Sequence, residues 1–171
     1  DNRNHQGYTI TSFAPILNFV NSRIEFTNVN KATAGLILDG SGSSFVNNGS
    51  FYHTNSHDVQ DYDSMGIMIC TSTSKVEINN CTFNCCGTNK NKKAIQNRGT
   101  NTIINDCQFL NEPGDSNVKT SAINIINYGI HVITNCFAQF TSTNSGAFNY
   151  KPTYAPDLSQ QSFIVNNILI N

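Results

Sequence analysis

Ile78-Asn79-Asn80-Cys81-Thr82-Phe83 recurs as Ile104-Asn105-Asp106-Cys107-Gln108-Phe109, and again as Ile133-Thr134-Asn135-Cys136. Weaker copies are Val46-Asn47-Asn48-Gly49-Ser50-Phe51 and Val165-Asn166-Asn167-Ile168-Leu169-Ile170, and a degenerate one ends Arg23-Ile24-Glu25-Phe26. With the second Asn or Asp as origin, the spacings from Asn48 onward are 32, 26, 29 and 32, and Arg23 precedes Asn48 by 25. A second marker keeps step with the first: a small residue before an apolar one, at Gly35-Leu36, Gly66-Ile67, Ala94-Ile95, Ala122-Ile123 and Ala147-Phe148. Repeats of this length point to a solenoid, and their variable spacing assigns the extra residues to loops.

Each unit reads as three short strands. The first follows the small residue, the second ends two residues before the origin, and the third runs from one to three residues after it. Apolar residues two apart share one face of a strand, which gives every strand an inward side. Between the second and third strands only the Asn pair remains. Asn and Asp are the non-glycine residues that best tolerate the left-handed backbone such a corner needs. The expectation is an all-β, right-handed parallel β-helix with three-strand coils, about six of them, and a ladder of stacked Asn side chains. The ladder positions are Asn48, Asn80, Asp106, Asn135 and Asn167, with Asn47, Asn79, Asn105 and Asn166 stacked one residue earlier. Residues 1–171 read as one domain, 1–22 as an amino-terminal coil or cap and 23–171 as repeat coils. Starting at Asp1 with no apolar leader, the chain reads as a fragment or processed part of a longer one.

Composition agrees. The 171 residues include 27 Asn, 18 Ile, 16 Ser and 16 Thr, a mixture rich in turn and β-branched residues and poor in helix formers. Only 12% are charged and the net charge is -1, which argues against a nucleic-acid or anionic-membrane surface. No apolar run is long enough to span a bilayer.

The pattern apolar-x-apolar-Asn-Asn-Cys-x-Phe resembles the repeats of the pectin-lyase-like superfamily of parallel β-helix proteins. Phe45-Val46-Asn47-Asn48 and Gly146-Ala147-Phe148 show a weaker similarity to surface adhesins of the polymorphic-membrane-protein type. The first resemblance implies the fold, but it spans lyases, hydrolases, tailspikes and adhesins, so function has to be argued from sites. The Asn-Thr-Asp, Asp-Asp, Gly-His-Gly and Arg-x-Lys signatures of the related hydrolases are missing, as is the Arg-x-Pro-x-x-Arg pattern of the lyases.

Candidate sites follow the repeat. Cys81, Cys107 and Cys136 share one repeat position and are expected to stack as buried thiols, since parallel Cβ vectors suit a disulfide poorly. Disulfides through Cys70 or the Cys85-Cys86 pair are the other reading, and a zinc site has neither the spacing nor the geometry. The loop 52–65 carries His53, His57, Asp58, Asp61 and Asp63. Its three acidic residues, Asp58, Asp61 and Asp63, offer oxygen ligands for calcium, set against an ordinary solvated loop. The loop 84–93 brings Lys90, Lys92 and Lys93, and loop 110–121 brings Glu112 and Asp115; loops on one side form a possible recognition face. Glu77 is the only carboxylate in a core repeat strand besides Asp106, and glycoside hydrolysis needs two across one cleft. His131 reads as a strand residue, and the sequons at Asn48 and Asn80 as unused, because a glycan would break the ladder.

The sequence therefore predicts a non-enzymatic surface scaffold, adhesin or fibre segment, extracellular or on a cell or virion surface. Its partner would be a surface glycan or protein receptor. One alternative is a carbohydrate-active enzyme or tailspike-type glycan-binding domain. Another is a filament subunit that self-associates through its uncapped carboxyl-terminal coil.

Overall fold

In the computed structural model of the chain, residues 7–27, 33–54, 64–70, 73–86, 92–112, 121–140, 146–150 and 162–170 are described. They form a parallel β-solenoid with three six-stranded sheets. The first sheet stacks β1 (Gly7–Ser12), β4 (Thr33–Leu38), β7 (Ser64–Ile69), β10 (Lys92–Asn97), β13 (Ser121–Ile125) and β16 (Gly146–Tyr150). The second stacks β2 (Leu17–Val20), β5 (Ser43–Asn47), β8 (Lys75–Asn79), β11 (Asn101–Asn105), β14 (Ile130–Thr134) and β17 (Ser162–Asn166). The third stacks β3 (Arg23–Thr27), β6 (Ser50–Thr54), β9 (Thr82–Cys86), β12 (Gln108–Glu112), β15 (Phe137–Phe140) and β18 (Leu169–Ile170). Every strand pairs in parallel with the strand three places on, so one strand from each sheet makes a rung.

Rungs two to five, β4 to β15, amount to about four turns covered on both sides; among the described residues the outer two rungs have a neighbour on one side only. The expected six coils are thus corrected to about four complete turns. The difference shows in burial. Val165 in β17 is 43% exposed, whereas Ile133, its partner in register, is 0% exposed.

The two repeat markers acquire a common cause in the packing. The third-sheet column Phe51, Phe83 and Phe109 is fully buried, with rings stacked 4.9 and 5.2 Å apart and 8° and 10° from parallel. Phe19 extends it at 5.6 Å. Such pairs add about 0.5–1.5 kcal/mol to the gain from burial itself. Facing this column, a Cβ placed on Gly66 would lie 3.0 Å from the Ala94 carbonyl oxygen of the next rung and 3.1 Å from the Phe83 ring. Gly66 therefore leaves room for the aromatic stack, and Ala94 and Ala122, next in the same register, are buried in the same core. The aromatic column stops at the fifth rung. Ala138 replaces the Phe, and Phe148 swings in from the following first-sheet strand to meet Phe109 edge-on at 6.1 Å and 75°.

The connection from second to third sheet is two residues long in every rung. The expected Asn pair is displaced by one: Asn47, Asn79 and Asn105 end their strands, and the residue after each makes the corner. Asn48, Asn80, Asp106, Asn135 and Asn167 all take φ between 50° and 53°, and so does Asn21. Asn21 is the true origin of the degenerate first copy, 27 residues before Asn48 rather than the 25 counted from Arg23, because Ile24 stands in register with Phe51.

Candidate functional site

The left-handed corners stack into a row of amides. Asn48 Nδ2 donates to Asn21 Oδ1 at 2.9 Å, Asn80 Nδ2 to Asn48 Oδ1 at 2.7 Å, and Asn167 Nδ2 to Asn135 Oδ1 at 2.6 Å. The inner row contributes Asn79 Nδ2 to Asn47 Oδ1 at 3.1 Å. Asp106 interrupts the sequence of bonds, because a carboxylate has no N–H to pass down to Asn80. Instead Asn105 turns its amide onto Asp106 Oδ2 at 2.7 Å, and Asn135 Nδ2 reaches Asn105 Oδ1 at 2.9 Å, where Thr134 Oγ1 also donates at 2.8 Å. The inner row therefore does not continue from Asn79 to Asn105, a departure from the expected second column. An open groove of about 580 Å³ follows this corner, lined by Asp106, Gln108, Asn135, Phe137, Asn167 and Leu169 among others.

Cys81, Cys107 and Cys136 lie just inside the corner, buried and with free thiols. Each Sγ donates to the carbonyl two residues back, Asn79, Asn105 and Thr134, at 3.2, 3.3 and 3.1 Å. A small apolar side chain with one weak donor fits that place, which explains Cys at this repeat position. Hydrogen bonding to Cys107 holds the outer two thiols below their ordinary range. Cys107, flanked by Cys136 and Cys81 and buried, is pushed well above it. Cys70 is also a free thiol, so the alternative of a disulfide through it is corrected. The side chains of Cys85 and Cys86 lie outside the described residues.

The loop candidates fall at the junction from third to first sheet. His57, Asp58, Asp61, Asp63 and Lys90 lie outside the described residues, and with them the whole calcium set. His53 is in β6 and Lys92 in β10, both at strand ends bordering that junction; Lys93, next in β10, is half-buried. Among the described residues no group of three or more His, Cys, Asp and Glu is placed to hold a metal. Glu77 forms an ion pair with Lys75, and its register neighbours are Phe45 and Ile103, so no second carboxylate faces it along the sheet. Among the described residues, no helix is long and apolar enough to cross a membrane.

Two features were not anticipated. On the outer face of the first sheet a second amide row runs from Asn149 Nδ2 to Asn124 Oδ1 at 2.8 Å and from Asn124 Nδ2 to Gln96 Oε1 at 3.1 Å. The mixed residue types hid it. Inside the column, His131 is completely buried in a polar cluster with Asn97 and Thr102. Its signal was the inward parity of His131, two residues before the buried Ile133.

No family model matches the chain, and neither a curated protein nor a solved structure matches it.

Proposed function

We propose that the chain is a rigid, non-enzymatic scaffold, an adhesin or fibre segment at a cell or virion surface, that displays loops for recognition. The observation that carries this reading is the division of labour between junctions. The second-to-third corner is locked at two residues by the amide row, while the connections 28–32, 55–63, 87–91, 113–120 and 141–145 all fall at the third-to-first junction. A fixed two-residue corner, with the longer connections at the other two junctions (151–161 joins the first sheet to the second in the last rung), supports display rather than chemistry, because binding residues concentrate on loops held by rigid elements. The right-handed sense and the pectin-lyase-like kinship belong to the same proposal. Their support is the strong preference of parallel crossovers for one hand and the repeat pattern itself.

The test is binding by the labelled chain to a glycan array and to cell surfaces. It is compared with a variant in which 55–63, 87–91 and 113–120 are replaced by Gly-Ser linkers. Loss of binding with unchanged thermal unfolding is the expected result. Undiminished binding by the variant would overturn display by these loops. Cleavage of an acidic polysaccharide that disappears in Asp58→Asn, Asp61→Asn or Glu77→Gln would establish the enzymatic alternative instead.

A second reading, end-to-end self-association, is favoured by exposed apolar residues on both outer rungs and the turn within the first. These are Phe13, Ile16 and Val20 at one end and Ile164, Val165, Leu169 and Ile170 at the other. Among the described residues the strands of the outer rungs have one free edge each, and such parallel edges template further pairing. Sedimentation of the 171-residue chain at rising concentration is expected to show linear oligomers; strictly monomeric behaviour would exclude them.

A further inference from the structure

The buried cluster around His131 is satisfied in only one protonation state. His131 occupies the inward column of the second sheet, with Thr102 below it and Phe163 above in register. Asn97 spends its Oδ1 on the Gly99 N–H at 2.8 Å, so its Nδ2 points to Thr102 Oγ1 at 2.6 Å and to His131 Nδ1 at 3.4 Å. An amide NH2 can only donate, and Nδ1 must therefore be the accepting nitrogen. The ring proton then sits on Nε2 and is donated to the Asn127 carbonyl at 3.2 Å. Asn127 is tied in turn to the rung beneath, where its Nδ2 donates to the Arg98 carbonyl at 2.8 Å. A second proton on the ring would set an N–H against the Asn97 N–H and put a full charge in the core.

Among the described residues, none of those facing the ring carries a charge that would compensate it. From β10 it meets Asn97, from β11 Thr102, from the turn before β14 Asn127, and from β17 Phe163. From β16 it meets Tyr150, whose ring lies 5.7 Å away and which is uncharged in acid. Arg98 offers its carbonyl to Asn127, and its side chain is exposed. Tyr150 stacks on Phe163 at 4.8 Å, so the ring is the floor on which the last rung rests.

We propose that the Asn97–His131–Asn127 cluster is an acid-release latch: neutral His131 holds β16 and β17 on the column, and its protonation loosens them. Burial lowers the proton affinity of His131 below its ordinary value of 6.5, partly opposed by the bond to Asn127. The unfolded chain thus takes up a proton near pH 6.5 that the folded chain refuses until lower pH. Stability from this site is complete above that range and falls with pH, by up to tenfold in the folding equilibrium per pH unit, until the folded value is reached.

The test uses the full 171-residue chain. Isotope-labelled protein is titrated from pH 7.5 to 4.5 by NMR, following the His131 ring and the amides of all three sheets. The expected result is a His131 midpoint below 6.5, with amide signals of 146–150 and 162–166 lost before those of 43–47 and 75–79. Denaturant unfolding across the same range is compared with His131→Gln, which keeps hydrogen bonding without titrating, and His131→Phe, the residue of the next rung. Both are expected to flatten the pH dependence between 6.5 and 5. An ordinary His131 midpoint, or simultaneous loss of signals from both ends, would overturn the latch even if neither variant folds. So would a pH dependence unchanged in a folded variant.

Discussion

At position 106 a carboxylate stands where the flanking rungs have Asn80 and Asn135, and the amide row breaks there. Asp106→Asn restores the missing N–H toward Asn80 Oδ1 without altering the backbone, and is expected to stabilise the fold by about 1 kcal/mol. A higher denaturant midpoint with an unchanged slope is the readout; a lower midpoint would show that the Asn105–Asp106 bond is worth more. The same corner separates two contributions of Asn. Asn80→Gly keeps the φ of 50° easily and loses only the amide bonds, whereas Asn80→Ala also suffers the left-handed penalty of roughly 1–2 kcal/mol. The Ala variant should therefore unfold at lower denaturant than the Gly variant, and the reverse order would refute a backbone role. These positions were readable in the sequence because one residue satisfies two local demands, a left-handed φ and an amide that stacks. Asn21 escaped because Val20 and Ser22 stand where the clearest copies have Asn and Cys, and Ile24 where they have Phe.

Among the elements, the aromatic column of the third sheet and the small-residue column of the first are two halves of one packing solution. Phe83→Ala is expected to cost about 3–5 kcal/mol by opening a cavity. Gly66→Val should also destabilise, by overpacking against the Ala94 carbonyl oxygen and the Phe83 ring, 3.0 and 3.1 Å from the added Cβ, of which only the second is relieved by Phe83→Ala. Combined, the two changes should cost clearly less than their sum, as measured in a double-mutant cycle by chemical unfolding; strict additivity would mean the columns do not interact. Both markers stood in the sequence as independent periodicities. That one exists to accommodate the other was not legible there, since facing columns lie on strands separated by a loop of variable length. The Asn97–His131 cluster stayed hidden for a related reason: its members come from different rungs and belong to no repeat.

At the scale of the molecule, junction lengths sort the chain into spine and display. Replacing 113–120 by a short flexible linker is expected to shift the thermal midpoint by only a few degrees, because loop-closure entropy depends weakly on length. A collapse of stability would instead mark the loop as part of the core. The thiol column gives a second global probe. Cys81, Cys107 and Cys136 should resist alkylation in the native protein and react together on unfolding, as read by mass spectrometry. Fold and rung register were thus open to a reading of pattern. The loop candidates were not, because residue type without a fixed backbone does not define a site. The amide row carries one more consequence. In its uninterrupted stretches every bond runs the same way, from Nδ2 of a later rung to Oδ1 of an earlier one. Aligned amide dipoles add, as they do along a helix, so each stretch, Asn21 to Asn80 and Asn135 to Asn167, has a positive foot and a negative crown, with the Asp106 carboxylate between them. Two copies meeting foot to crown would prolong the alignment, whereas two feet or two crowns would set like poles together. The row that fixes each corner thereby gives the whole molecule a direction.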